Sequence, residues 1–223
     1  MLYLHVVAGS VGILFGFVTM FFAKGSPRHR WAGNVYTVAM LVMTGSAFIA
    51  AIFLKPNKLN VLAAMLTGYL VGTAWLTVRR KPEAPRALEF VAMGVAAAAA
   101  LFGFFVVGTA PGTGMTGFGL FFGGIAALCL ASDLRFWSTG AMSRAQRLTR
   151  HLWRMGVSFA IASGSLFLGQ MKHLPAWLTG SKLNVVLALT PLVLTVFWLI
   201  RVRLPPWSRK ARAGGQPPLT AAP

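Results

Sequence analysis

The chain has 223 residues, of which 57% are hydrophobic and only 11% charged, and its formal net charge is +18. A soluble domain charges roughly a quarter of its residues to coat its surface, so an ordinary water-soluble globule is excluded. Twenty-one Lys and Arg face three acids, Glu83, Glu89 and Asp133. In a soluble chain that balance would suggest a nucleic-acid partner. Here the cations sit in short connections between apolar blocks, with no segment large enough for a nucleic-acid-binding domain, so no nucleic acid is expected.

Taken in chain order, the apolar blocks run at about 2–23, 32–54, 59–78, 90–110, 118–137, 152–171 and 183–204. Each can cross the hydrocarbon at about 1.5 Å per residue, and the alternation that spanning strands would need is absent. The first block has no basic stretch ahead of it and exceeds a signal-peptide core, so it reads as a retained helix. The expectation is an all-α polytopic transmembrane bundle of seven helices over residues 1–204. A basic cytoplasmic tail with Pro and Gly follows at 205–223.

The connections orient the bundle. Lys24, Arg28 and Arg30 fall in the first, and Arg79, Arg80, Lys81 and Arg86 in the third. Arg135, Arg144, Arg147, Arg150 and Arg154 lie around the fifth, and Arg201, Arg203, Arg209, Lys210 and Arg212 lead into the tail. The other side holds only Lys55, Lys58, Lys172 and Lys182. The positive-inside rule then puts the odd connections and the C-terminus in the cytoplasm and the N-terminus outside.

Trp31, Trp137, Trp153, Trp177 and Trp207 fall near predicted boundaries, as interfacial anchors do. Pro111-Gly112-Thr113-Gly114 reads as a tight external turn. The pairs Gly12/Gly16, Gly68/Gly72 and Gly119/Gly123 are spaced for close helix contact, within the bundle or with a second copy. Cys129 is the single cysteine and sits in an apolar block, so it reads as a small buried residue.

Four histidines divide between the two faces: His5 and His173 outside, His29 and His151 inside. Bis-histidine ligation of haem b needs two imidazoles on facing elements, so each face offers a candidate pair. The bland alternative is a set of polar boundary residues. Arg28-His29-Arg30-Trp31 and Arg150-His151-Leu152-Trp153-Arg154 resemble each other and open the second and sixth helices. Their cations and the positive helix ends could contact a lipid phosphate, a haem propionate or a substrate carboxylate; topology determinants and aromatic anchors explain them too.

Asp133 is the one acid inside a predicted span. Arg154 lies at similar depth in the following helix, so an ion pair is expected, with a proton site as the alternative. Ser163, Ser165, Gln170, Asn184 and Thr190 offer a polar seam between the sixth and seventh spans, with Pro191 a candidate kink. No nucleotide-binding, Ser-His-Asp or metalloprotease motif is present, and no metal cluster is expected.

His5-Val6-Val7-Ala8-Gly9, Gly16, Lys24-Gly25, His29-Arg30, Gly33-Asn34-Val35-Tyr36 and Met40 resemble an uncharacterised bacterial membrane-protein family, domain of unknown function 2306. His151-Leu152-Trp153-Arg154-Met155, Ser163-Gly164-Ser165 and Phe167-Leu168-Gly169-Gln170 are similar to its second half. The resemblance implies a multi-pass protein of the bacterial inner membrane with His5, His29-Arg30 and His151 to Arg154 as marked positions; it implies no activity. Three readings of function follow. One is a histidine-based haem or redox membrane protein. A second is a small transporter or lipid-interacting protein using Asp133 and Arg154. The third is an assembly subunit that meets a membrane partner or its own copy.

Overall fold

The structure, a computed structural model, describes residues 2–79, 87–110, 114–139 and 142–203. The basic run from Arg80 to Arg86, most of the Pro111 turn and the tail with Trp207 lie outside the described residues. Regular structure among the described residues is helical throughout: α1 (Leu2–Phe21), α2 (Pro27–Ile49), α3 (Lys58–Arg79), α4 (Ala87–Phe102), α5 (Thr116–Thr139), α6 (Arg144–Phe167), a short α7 (Ala176–Gly180) and α8 (Leu183–Arg203). Widened π turns, Ala50–Leu54 and Gly103–Val107, extend α2 and α4. Six of the helices, α1 to α5 and α8, are long and apolar enough to cross a membrane. They turn large side chains such as Leu14, Val38, Phe105, Leu128 and Val193 outward, as only lipid tolerates. The protein is an all-α polytopic transmembrane helix bundle.

α6 stands apart from those six, because Arg144, Arg147, Arg150 and Arg154 occupy its first half. It also starts about two turns before the expected 152. A capping box sets that start: Ser143 N donates to Gln146 Oε1 at 2.8 Å and Gln146 N to Ser143 Oγ at 3.2 Å. The helix stops at Phe167, where Leu168 N and Gly169 N both turn back to Gly164 O. The chain then passes through a 3-10 turn, Met171–His173, into α7, where a plain external connection was expected. α2 likewise begins earlier than 32, with Ser26 as N-cap and Pro27 in the first turn. Gly25 makes the preceding turn at φ +80°, where a side chain would be strained.

Side-chain contacts sort the helix ends. His29 meets Thr19, Trp75 and Arg79 meet Asn34, His151 meets Ala74, and Arg150 meets Asp133. These contacts bring the C-terminal ends of α1, α3 and α5 to the N-terminal ends of α2 and α6; we call this the basic end. At the opposite end His5 meets Met43, and Asn184 meets Phe167. Consecutive long helices thus alternate in direction, and α2 and α6 run parallel.

α3 is the central helix, with Leu62, Leu66, Leu70, Val71 and Ala74 fully enclosed. One apolar cluster joins α3 to α4 and α5 through Ala96, Val107, Ala126 and Cys129. The other joins Ile13, Tyr36, Met40, Phe159 and Ala188. α4 and α5 touch backbone to backbone: a Cβ on Gly119 would fall 2.6 Å from Gly108 N, and one on Gly103 would fall 2.7 Å from Gly123 Cα. Absent side chains are the condition for that approach.

Candidate functional site at the basic end

Asp133 projects from α5 into the bundle and is buried. Arg150 and Arg154 lie one turn apart on α6, hence on one face, and both reach it. Arg150 Nη2 donates to Asp133 Oδ1 at 2.9 Å, and Arg154 Nη2 donates to the same oxygen. Tyr69 OH donates to Asp133 Oδ2 at 2.5 Å. Arg154 Nη1 donates to Thr73 Oγ1 at 2.7 Å, and Thr73 Oγ1 in turn donates to Tyr69 O at 2.7 Å. Tyr69 and Thr73 are again one turn apart, on α3. The Arg154 guanidinium also lies 5.2 Å from the Tyr69 ring centroid, within cation–π reach.

Arg154 is completely enclosed, at 0% exposure. A guanidinium at that depth is tolerated only when paired and hydrogen-bonded. Yet one carboxylate serves two guanidiniums. Glu89, at the start of α4, also attracts Arg150, less than Asp133 does. Nε of Arg150 and Nε of Arg154 are buried with no hydrogen-bond partner. The cluster therefore carries surplus positive charge and two unused N–H donors, which is the chemistry of a site that accepts an anion.

The expected Asp133–Arg154 pair is present and is joined by Arg150. Arg28 and Arg30 stay exposed at the start of α2, apart from this cluster. Lys24 caps α1 instead: its Nζ donates to Thr19 O and Met20 O and lies 4.6 Å from the Trp198 ring centroid. Burial pushes the Lys24 ammonium down to about 8.

The inner histidines converge on one seam. Tyr36 OH and Ser158 Oγ are 3.1 Å apart across α2 and α6. His29 and His151 each lie seven residues earlier, two turns back on the same faces of these parallel helices. His29 Nδ1 bonds Thr19 O at 3.2 Å, and His151 Nδ1 bonds Ala74 O at 3.0 Å. A carbonyl only accepts, so Nδ1 carries a proton in each ring, and in the neutral form Nε2 keeps its lone pair. Above the pair the seam is filled by Tyr36 and Phe159, whose ring centroids are 5.9 Å apart, edge to face. His5 Nδ1 bonds Met43 O at 3.0 Å near the opposite end, while His173 lies exposed in its 3-10 turn. No group of three or more His, Cys, Asp or Glu suited to a metal occurs among the described residues.

The polar seam divides. Ser163 and Asn184 are buried, and Asn184 Nδ2 donates to Phe167 O at 3.2 Å. Ser165 and Gln170 face outward, and Thr190 bonds Val186 O in its own helix. Pro191 is buried within α8, and Thr195 Oγ1 donates to its carbonyl at 2.6 Å.

Sequence reasoning missed Tyr69 and Thr73 as members of the cluster. The available signal was a phenol and a hydroxyl one turn apart in an apolar helix, which need partners once buried. The family resemblance of the first hairpin stays an expectation. No family model, curated protein or solved structure matches the chain in comparison.

Proposed function

We propose that this multi-pass membrane protein binds an anion, a carboxylate or phosphate, at the Arg150–Arg154–Asp133 cluster, as a small transporter or a lipid-interacting protein. The observation that carries the reading is two buried guanidiniums on a single carboxylate, each with an unpartnered Nε. The charge pattern supports a cytoplasmic basic end, seven spans counting α6, and an external N-terminus. The resemblance to the domain of unknown function 2306 family supports a bacterial inner membrane as its setting. The test is thermal unfolding of purified protein titrated with phosphate and acetate against chloride. A bound anion at about 100 times its Kd adds about 2.7 kcal/mol of stability. Arg154→Met should abolish that gain, and indifference of the wild type to both anions would sink the reading.

A second reading, haem b or another redox cofactor, is favoured by the Nε2 atoms left free on His29 and His151. Metal-ligating imidazoles show this backbone-anchored arrangement. It would require Tyr36 and Phe159 to part. An absorption spectrum of haem-replete protein before and after dithionite decides it: a Soret band bleached by His151→Ala supports it, and a flat spectrum refutes it.

A further inference from the structure

Arg150 and Arg154 meet Asp133 with the same edge of the guanidinium. In each, Nη2 donates to Asp133 Oδ1, while Nε, the other N–H of that edge, is buried without a partner. Such an edge is a fork that fits the two oxygens of one carboxylate. Here a single oxygen half fills two forks. One more carboxylate would complete both, with Asp133 on one arginine and the newcomer on the other. Two negative charges would then stand against two positive ones, and neither Nε would remain unpaired.

The two arginines are not equivalent. Arg154 is enclosed, tied through Nη1 to Thr73, and its guanidinium lies 5.2 Å from the Tyr69 ring centroid and 5.5 Å from that of Trp153. Arg150 sits one turn nearer the basic end, and its side chain is 10% exposed. Its Nη1 donates to Met142 Sδ at 3.7 Å, a weak acceptor, and its Cζ lies 5.6 Å from the Phe136 ring centroid. Arg147, the next cation outward, is turned to α3, where its Nε donates to Thr77 O at 3.0 Å. The described groups that touch Arg150 on the side away from Asp133 are thus a thioether and a phenyl ring, which suit the hydrocarbon part of an organic acid. Phosphate would bring two further oxygens that neither group can satisfy, and such oxygens are costly to bury. Asp133 and Glu89 already attract Arg150, which disfavours a second negative charge on the ligand.

We infer that Arg150 is the docking arginine for a monovalent organic carboxylate, taken edge-on through Nε and Nη2, and that Asp133 then turns wholly onto Arg154. Tyr69 keeps its bond to Asp133 Oδ2 throughout. The assignment rests on the anion reading proposed above and narrows it to a carboxylate with one negative charge and an apolar body against Met142 and Phe136. It also divides the labour: Arg150 meets the ligand, and Arg154 holds Asp133.

The experiment is thermal unfolding of the purified full chain, followed by thiol reagent at Cys129, with butyrate and with inorganic phosphate, in wild type and in Arg150→Lys. Lysine keeps the charge and loses the fork. Butyrate should stabilise the wild type at about a tenth of the phosphate concentration, and Arg150→Lys should weaken butyrate about tenfold, the worth of one charge-assisted hydrogen bond. Phosphate, held by charge alone, should be unchanged in the variant. A second readout needs no variant and decides the matter if Arg150→Lys leaves Cys129 unprotected. Infrared bands of carboxyl-13C butyrate should move from their positions in water when both oxygens sit on one guanidinium. Phosphate as effective as butyrate would overturn the carboxylate class. Butyrate unaffected by Arg150→Lys, or bands unmoved while butyrate stabilises, would overturn docking on Arg150. Each of these leaves the anion reading standing, whereas a wild type indifferent to both anions fails both.

Discussion

Replacing Asp133 with Asn removes the single carboxylate that both buried guanidiniums share and keeps the shape of the side chain. Each guanidinium–carboxylate attraction is on the order of 4 kcal/mol at about 4 Å and an effective dielectric of about 20. Both disappear, and two cations one turn apart then face each other. Arg150 keeps some exposure and can extend its stem toward the interface, whereas Arg154, at 0%, has no such escape. One stranded cation therefore sets the cost, at about 3–5 kcal/mol, the usual loss when a buried pair is broken. Arg154→Met leaves a balanced Arg150–Asp133 pair and forfeits mainly the hydrogen bond to Thr73, about 1–3 kcal/mol. Cys129, fully buried and the sole cysteine, reports unfolding through a thiol-reactive fluorophore, in heat or in an SDS titration. Equal losses for the two variants, or a larger one for Arg154→Met, would refute the surplus-charge account.

The glycine seam predicts a contrast: Gly119→Ala should cost about 1–3 kcal/mol, since backbone atoms of α4 block its Cβ. Gly124→Ala, with open space around it, should be neutral or gain up to about 1 kcal/mol in the same unfolding assay. Ser158→Ala, which strands the buried Tyr36 hydroxyl, should cost about 1–3 kcal/mol, and more than Tyr36→Phe, because Ser158 keeps its bond to Met155 O. Lys24 titrates at about 8 when folded against 10.5 when free, so the unfolded chain binds more protons between those values. Stability should climb as pH rises through that window, and Lys24→Met should flatten the climb in melting curves. Reporter fusions after Lys58 and Lys172 should read external, and those after Lys81 and Lys210 cytoplasmic; one inverted result breaks the proposed topology.

The spans announced themselves because lipid demands unbroken apolar runs, and α1, α3, α5 and α8 lie within a few residues of expectation. The starts of α2 and α6 did not, because Arg28, Arg30, Arg144 and Arg147 interrupt hydropathy without interrupting a helix. The caps at Ser26 and Ser143 carried that information locally. Asp133 and Arg154 could be paired from sequence, since an acid alone in a span must find a cation. Which α3 residues would complete the cluster depended on the rotation of α3 against α5 and α6, which periodicity leaves open in a helix apolar on every side. His29 and His151 could be assigned to one face of the membrane, but their convergence required α2 and α6 to be neighbours.

If α6 is the seventh span proposed above, its charges bear on how the chain enters the bilayer during synthesis. An arginine at mid-helix raises the cost of insertion by about 2.5–3.5 kcal/mol, and α6 carries two that end up buried. Delivered alone, that helix would favour the aqueous side of the translocon. Delivered after α5, it finds a carboxylate already at the matching depth, and partition as a hairpin cancels one of its charges. The order in which the two segments leave the ribosome thus helps to make the final arrangement reachable.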